Sequence, residues 1–311
     1  MKILFVSSGN GGSISPIVKN QADSLKEFGT NLEIVYFLVK GKGIFGYLSN
    51  LLLLRQKIKV EKPDIIHAHY SYCGILSTLC FTRRSIITSL MGSDVMTTSR
   101  TKYVIKAFSY FSWKHTVVKT EKMRTTLGIS NAIVIPNGVN FSKFYPIPKA
   151  LARLKLGFNP EAKIILFASN PSRYEKNWAL AKEAIENLGI NVEVKFLVNI
   201  PNEDAKFYYN SADVVVLSSL WEGSPNVIKE AAACNRPIVA TDVGDIKQNI
   251  GSIEGCYICK HNSEDLRLSI LKAMQYKKTN AREQIQQLSA EVISLKLINL
   301  YKKKHDADCS N

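Results

Sequence analysis

Two glutamates and two cations stand at spacings that could hold a phosphorylated ligand. Glu222 and Glu230 lie in Trp221-Glu222-Gly223-Ser224-Pro225-Asn226-Val227-Ile228-Lys229-Glu230. Ser224 suits an N-cap and Pro225 a first helical position, and Val227, Ile228 and Ala231 supply the apolar side of a helix. The first free backbone donors, Asn226 and Val227, then point out of the positive helix end, where a diphosphate is favoured. Glu222 sits just ahead of that end and Glu230 about one and a half turns inside it. That is not an i,i+4 surface pair, and the two can grip neighbouring parts of one ligand. In Asn170-Pro171-Ser172-Arg173-Tyr174-Glu175-Lys176, a guanidinium and an ammonium stand three apart. Alone these are solvated surface charges, but facing a helix start across adjacent strand ends they form a diphosphate clamp.

The elements needed to position them are legible. Ala212-Asp213-Val214-Val215-Val216-Leu217 and Pro237-Ile238-Val239-Ala240-Thr241 read as buried strands on either side of the glutamate segment. The glutamates fall at a strand's carboxyl end, where open α/β sheets bind ligands. Strands are expected at 3–7, 32–37, 64–68, 86–90, 116–118 and 132–135, then at 163–168, 192–198, 214–217, 238–241 and 255–258. Helical or loop sequence separates most of them, which predicts two parallel sheets in an α/β protein. The turn-rich segment Pro136 to Pro148 lies between the two series.

The run from Leu220 to Ala231, followed by Arg236-Pro237-Ile238-Val239-Ala240-Thr241-Asp242-Val243-Gly244, resembles the donor-sugar motif of retaining glycosyltransferases of family 4, also called glycosyltransferase group 1. The resemblance extends over nearly the whole chain and is strongest from Lys163 to Gly244. It implies the GT-B fold, in which two Rossmann-like, doubly wound parallel-sheet domains face a central cleft. Pro136-Asn137-Gly138-Val139-Asn140 resembles the exit from the family's first domain. The expected division is 1–146 for the acceptor, 147–290 for the nucleotide-sugar donor, and a last helix, 291–311, crossing back.

By the same resemblance, Arg173 and Lys176 stabilise the departing diphosphate, Glu230 accepts from ribose hydroxyls and Glu222 contacts the transferred sugar. Backbone around Gly223, Ser224, Pro225, Asn226 and Val227, with Asn170 in the facing loop, completes the donor site. Base recognition is expected from backbone at 199–204. The implied reaction moves a hexose-type sugar from a UDP- or GDP-sugar to a hydroxyl of a cell-surface glycan intermediate of polysaccharide, capsule or lipopolysaccharide, free or lipid-linked, with retention. The leaving phosphate takes the acceptor proton. No metal and no other cofactor is expected, since Arg173, Lys176 and the helix end can neutralise the leaving group. Many relatives carry Gly-Arg-Leu earlier in the 170–176 loop and histidine where this chain has Met91, so no acid or base acts there. Asp242-Val243-Gly244-Asp245 reads as a turn after a strand rather than a metal motif.

In the first half, Gly9-Asn10-Gly11-Gly12-Ser13 follows the first strand and precedes a helix bearing Val18, Ala22 and Leu25. A turn of this kind admits close ligand approach, and its spacing is not the dinucleotide fingerprint of oxidoreductases. The family implies that Gly11 and Gly12 face the acceptor. His67 and His69 are expected on opposite faces of one strand, which argues against a shared metal; His69 is the candidate for acceptor or sugar contact. Asp94 is placed with the acceptor or at a helix cap. The run 44–59, apolar with a basic end, reads either as a helix packed on its own sheet or as a surface helix meeting lipid.

With 311 residues, 46% apolar and 22% charged, the chain suffices for two cores. No stretch reaches the roughly 18 uncharged apolar residues of a membrane span. The six cysteines are scattered, and Cys256-Tyr257-Ile258-Cys259 lacks a second pair for zinc; a reducing cytosol is the expected setting. Of the net charge of +15, residues 1–146 hold +12, from 19 Lys and Arg against 7 Asp and Glu. That excess suits an anionic membrane surface on the inner face, and no nucleic-acid motif accompanies it. A nucleotide-sugar epimerase of the same architecture and a non-catalytic adaptor are the rival readings. An epimerase would convert its nucleotide sugar without any acceptor, and an adaptor would need no nucleotide sugar.

Overall fold

The computed structural model describes residues 1–96, 99–201 and 203–308. The chain forms two compact units, Met1–Gly138 with Ala290–Asn311, and Val139–Ser289.

In the first unit, β1 (Lys2–Ser8), β2 (Glu33–Val39), β3 (Ile65–His69), β4 (Ser85–Ser89), β5 (His115–Val118) and β6 (Ile133–Val134) form a parallel sheet ordered β2-β1-β3-β4-β5-β6. Alternation along β1 separates two cores, as a period of two requires. Ile3 and Phe5 pack with α1 (Pro16–Phe28) and α14 (Ala290–Asp308). Leu4 and Val6 pack with α2 (Gly43–Leu48), α3 (Leu51–Glu61), α4 (Ser71–Leu79), α5 (Ser99–Phe111) and α6 (Glu121–Leu127). The run 44–59 is two helices, not one. Asn50 stands at the break, its amide donating to Lys40 O (2.8 Å) and Gly46 O (2.7 Å). Tyr47, Leu54 and Ile58 turn inward while Phe45, Leu52 and Val60 stay in water.

The second unit carries β7 (Ile164–Phe167), β8 (Glu193–Phe196), β9 (Val214–Leu217), β10 (Ile238–Thr241) and β11 (Cys256–Cys259), all parallel, ordered β11-β10-β9-β7-β8. α7 (Lys149–Leu156), α8 (Trp178–Glu186), α9 (Ala205–Ser211), α10 (Asn226–Ala233), α11 (Ile246–Ile250), α12 (Ser263–Ala273) and α13 (Ala281–Gln284) surround the sheet. The strand order reverses between β7 and β9, so the loops leaving these two strands flank the switch point where such sheets bind ligands.

The unit boundary lies at Gly138/Val139, not near 146. Val139 and Phe144 are buried in the second unit's core, Val139 N donates to Leu288 O (2.9 Å), and Arg282 donates to Phe141 O and Phe144 O. A segment that reads as linker from its turn formers is thus tied down by distant residues. The five described cysteines are free and buried, and Cys256 and Cys259 face opposite cores, so they share no metal; Cys309 lies outside the described residues. No described helix is long and apolar enough to cross a membrane.

Candidate active site

The loops after β7 and β9 are stitched together. Leu220 N donates to Glu175 O (2.8 Å), and Ser218 Oγ lies within hydrogen-bond reach of Lys176 O and Asn177 O. Inside that seam Lys176 Nζ reaches Glu222 Oε1 at 2.5 Å, and Ser219 Oγ donates to the same oxygen at 2.8 Å. Lys176 and Glu222 expose only 10% and 15% of their side chains. Ser219 O in turn accepts from Thr241 Oγ1 (2.7 Å) and lies 2.9 Å from His261 Nε2. Asn170 Oδ1 accepts from Ser172 N (2.9 Å), closing the turn that leads to Arg173. The two cations do not converge here. Arg173 is exposed and paired with Glu175, while Lys176 is held inward by Glu222.

Helix α10 begins one residue later than its sequence suggests. Pro225 is the N-cap and Asn226 the first helical residue, with no side-chain cap. Ser224 cannot cap because its hydroxyl is engaged elsewhere, donating to Asp245 Oδ2 (2.6 Å) and accepting from Lys229 Nζ (2.5 Å). Lys229 is almost fully buried; burial lowers its pKa, against the upward pull of the Asp245 and Glu230 charges. The turn read from Asp242 to Asp245 exists and does more. Gly244 has φ +62, and a Cβ there would stand 2.4 Å from Gly223 O, so only glycine lets this loop abut the Glu222 loop. At the mouth of α10, Asn226 Oδ1 is buried with no hydrogen-bond partner, and the first-turn amides of any helix lack intrahelical acceptors.

Glu230 sits one turn into α10, next to Tyr209, whose hydroxyl donates to its Oε2 at 2.7 Å. Burial raises the Glu230 pKa, and the Tyr209 hydrogen bond and the charges of Lys143 and Lys229 oppose the rise. Residue-type reasoning passed over Tyr209, Ser219, Lys229 and Asp245. Tyr209 and Asp245 act through contacts 21 residues away in sequence, whereas Ser219 and Lys229 act locally, and the charge of Lys229 inside an apolar helix side was a visible anomaly. In the 199–204 stretch, Asn199 has φ +54 and Asp204 N donates to Pro201 O (2.9 Å); Asn202 lies outside the described residues.

In the first unit Gly11 and Gly12 are exposed, Gly12 with φ +82, and open space surrounds both. His67 and His69 share one face, contrary to expectation, because residues two apart on a strand point the same way. Their rings stack at 4.3 Å beside Phe5. His67 Nδ1 lies 2.6 Å from Tyr301 Oη and Nε2 2.8 Å from Ser89 Oγ. Burial pushes the His67 pKa down to about 3 and that of His69 well below its usual value. His69 is not presented to an acceptor; it is 2% exposed and neither ring nitrogen has a hydrogen-bond partner. Asp94 is buried as well, accepting from Ser71 N (2.9 Å) at the start of α4 and from Met91 N (2.6 Å). It braces two loops and caps the helix before it in sequence. Among the described residues no His, Cys, Asp and Glu cluster could hold a metal ion.

Residues 148–290 match the family described as "Glycosyl transferases group 1", and residues 14–123 match "Glycosyl transferase 4-like". Among curated relatives, the putative teichuronic acid biosynthesis glycosyltransferase TuaC of Bacillus subtilis is 26% identical, over 72% of this chain and 65% of its own length. The chain thus spans just under two thirds of that relative. The Escherichia coli UDP-Gal:alpha-D-GlcNAc-diphosphoundecaprenol alpha-1,3-galactosyltransferase is also 26% identical, over 73% of this chain and 69% of its own. Among solved structures, sucrose-phosphate synthase from Thermosynechococcus elongatus superposes with TM-score 0.79 at 17% identity, covering 99% of this chain and 100% of that one. Anabaena HepE in complex with UDP-glucose does so with TM-score 0.78 at 15% identity, covering 97% and 100%. These two likenesses show the fold, two Rossmann-like parallel-sheet units of GT-B type. The two family matches together take in most of the sequence, residues 148–290 being similar to glycosyltransferases of group 1 and residues 14–123 to the 4-like glycosyltransferases.

Proposed function

We propose that the protein transfers a hexose-type sugar from a UDP- or GDP-sugar to a hydroxyl of a cell-surface glycan intermediate, lipid-linked and met at an anionic membrane surface, with retention of configuration. The observation that carries this reading is the partly buried Lys176–Glu222 pair at 2.5 Å, set at the switch point just ahead of the first turn of α10. An ammonium and a helix N-terminus on the loops of adjacent strands suit a diphosphate, and Glu222 has hydrogen-bond capacity for sugar hydroxyls. On donor binding, Lys176 shares its charge between Glu222 and the diphosphate, and Arg173, already exposed, swings from Glu175 to the phosphate oxygens. Glu230, held by Tyr209, takes the ribose. The sugar–phosphate bond breaks as the acceptor oxygen bonds to the same face of the anomeric carbon, and the acceptor's proton passes to a phosphate oxygen. Charge stabilisation of the leaving group is the main contribution asked of the protein. The UDP-glucose held by HepE and the lipid-linked acceptor in the E. coli relative's name support the same classes of donor and acceptor.

Thermal shift with UDP, GDP, ADP and dTDP tests the donor site, since a ligand that binds only the folded state raises the midpoint. One nucleotide diphosphate should stabilise the wild type, and Glu230→Ala and Lys176→Ala should each abolish the shift. Lys176→Ala should also lower transfer about 100-fold or more. No shift with any nucleotide, or shifts unaffected by both substitutions, would overturn the assignment.

A further inference from the structure

Helix α10 does not start where its own residues would put it. Ser224-Pro225 is a strong helix entry, since serine accepts from first-turn amides and proline suits the first helical position. Pro225 has φ −70, as a helix requires, yet its ψ of 121 is extended, so it stands outside the helix as N-cap and no side chain caps the first turn. Local propensity is overridden here, and the cause lies in two side chains. Lys229 Nζ donates to Ser224 Oγ at 2.5 Å, and the hydroxyl donates onward to Asp245 Oδ2 at 2.6 Å. Both directions are fixed, because an ammonium has no acceptor and a carboxylate no donor. Ser224, Lys229 and Asp245 are all buried, so water does not compete for these bonds.

Asp245 forgoes the same local role. It is the N-cap residue of α11, and aspartate caps well, yet its side chain makes no cap bond to that helix. Two good capping residues are thus turned away from their own helices and toward each other. Gly244 makes the meeting geometrically possible, since a Cβ there would collide with Gly223 O. The arrangement is also expensive. Lys229 sits on the side of α10 that buries Ile228, Ala231 and Ala232, and burial pulls its pKa down against the charges of Asp245 and Glu230. An apolar pair of similar volume is often no less stable than a buried ion pair, so stability alone does not explain this one. What the cluster leaves behind is an open helix mouth. The first-turn amides of an uncapped helix keep their donors for an anion, whereas a capping serine oxygen would stand where a phosphate oxygen could bind.

We infer that Lys229 and Asp245 are positioning residues for the donor diphosphate: by holding the Ser224 hydroxyl between them, they keep α10 uncapped and its first-turn amides open to phosphate oxygens. The inference rests on the donor site proposed above, and it assigns to that site two residues that touch no ligand themselves.

Calorimetric titration of the full chain with UDP and UMP, or with GDP and GMP where guanine is the base, measures the preference for a diphosphate. Wild type should prefer the diphosphate. Lys229→Met combined with Asp245→Ala removes both claims on the hydroxyl and leaves neither charge buried alone. Ser224 then caps α10, and the preference should fall roughly tenfold. Adding Ser224→Ala should restore it, since alanine cannot cap. A merely loosened loop predicts the opposite, because deleting one more contact cannot repair it. Hydrogen exchange on wild type supplies a second measurement that needs no variant: the amides of Asn226, Val227 and Ile228 should exchange fast in the free protein and slowly with the diphosphate bound. Amides already protected without ligand would overturn the inference, as would a preference that Ser224→Ala fails to restore. Equal affinity of wild type for diphosphate and monophosphate would sink the donor-site reading and this inference with it. A wild-type preference that survives loss of Lys229 and Asp245 would sink this inference alone.

Discussion

His67 is fully buried against Tyr301, Ser89 and the rings of Phe5 and His69, and burial, with the nearby Lys119 charge, pushes its pKa from 6.5 to about 3. The unfolded chain therefore takes up this proton first. Stability is whole above about pH 6.5 and lost as pH falls toward 3, at about 1.4 kcal/mol per pH unit. His69, shifted the same way, adds to the slope. Urea unfolding should show the first unit weaker at pH 5 than at pH 7 by about 2 kcal/mol from His67 alone, and His67→Gln should flatten that dependence. A slope identical in the variant would mean that other groups carry the acid sensitivity. Composition and spacing announced two histidines at a strand end; their burial depended on Tyr301, 234 residues away, and could not be read from the strand.

Among the elements, the loops after β7, β9 and β10 meet around the candidate site. Each was visible as a loop following an apolar β-branched run, and the helix after β9 was visible from its apolar spacing. Their mutual grip was not. Ser224 reads as an N-cap because serine accepts well from first-turn amides, yet Lys229 and Asp245 claim its hydroxyl. Gly244 gives a direct test of the grip between loops. Gly244→Ala places a Cβ against Gly223 O at φ +62, which either strains the backbone or pushes the Glu222 loop away. The expected cost is roughly 2 kcal/mol or more of stability, together with loss of the nucleotide-induced thermal shift. A variant that melts normally and keeps its shift would show that the two loops move independently.

For the whole molecule, the path of the chain has a consequence for folding. The second unit is continuous, Val139–Ser289, whereas the first is completed only when α14 returns, burying Ile293, Leu297 and Tyr301 against Ile3, Phe5 and Ile65. Residues 139–289 expressed alone should melt cooperatively and retain nucleotide binding. Residues 1–138 alone expose the apolar surface that α14 covers, and should lack a cooperative transition. Melting both segments by circular dichroism decides the point; a cooperative 1–138 fragment would mean that α14 is dispensable for that core.

The strands, their parallel arrangement and the candidate donor segment were legible in the sequence, because a buried strand, a helix start and a Gly-rich turn are written in local spacing. Tertiary structure alone decided which charges meet. Lys176 and Glu222 are 46 residues apart and Tyr209 and Glu230 are 21, and no periodicity encodes a contact made by two loops or two helices brought together over a sheet. The unit boundary at Gly138 and the shared face of His67 and His69 divide along the same line. The boundary needed the distant Arg282 and Leu288. The shared face followed from the two-residue period of any strand, so it was in the sequence throughout, whereas the cover that buries it was not.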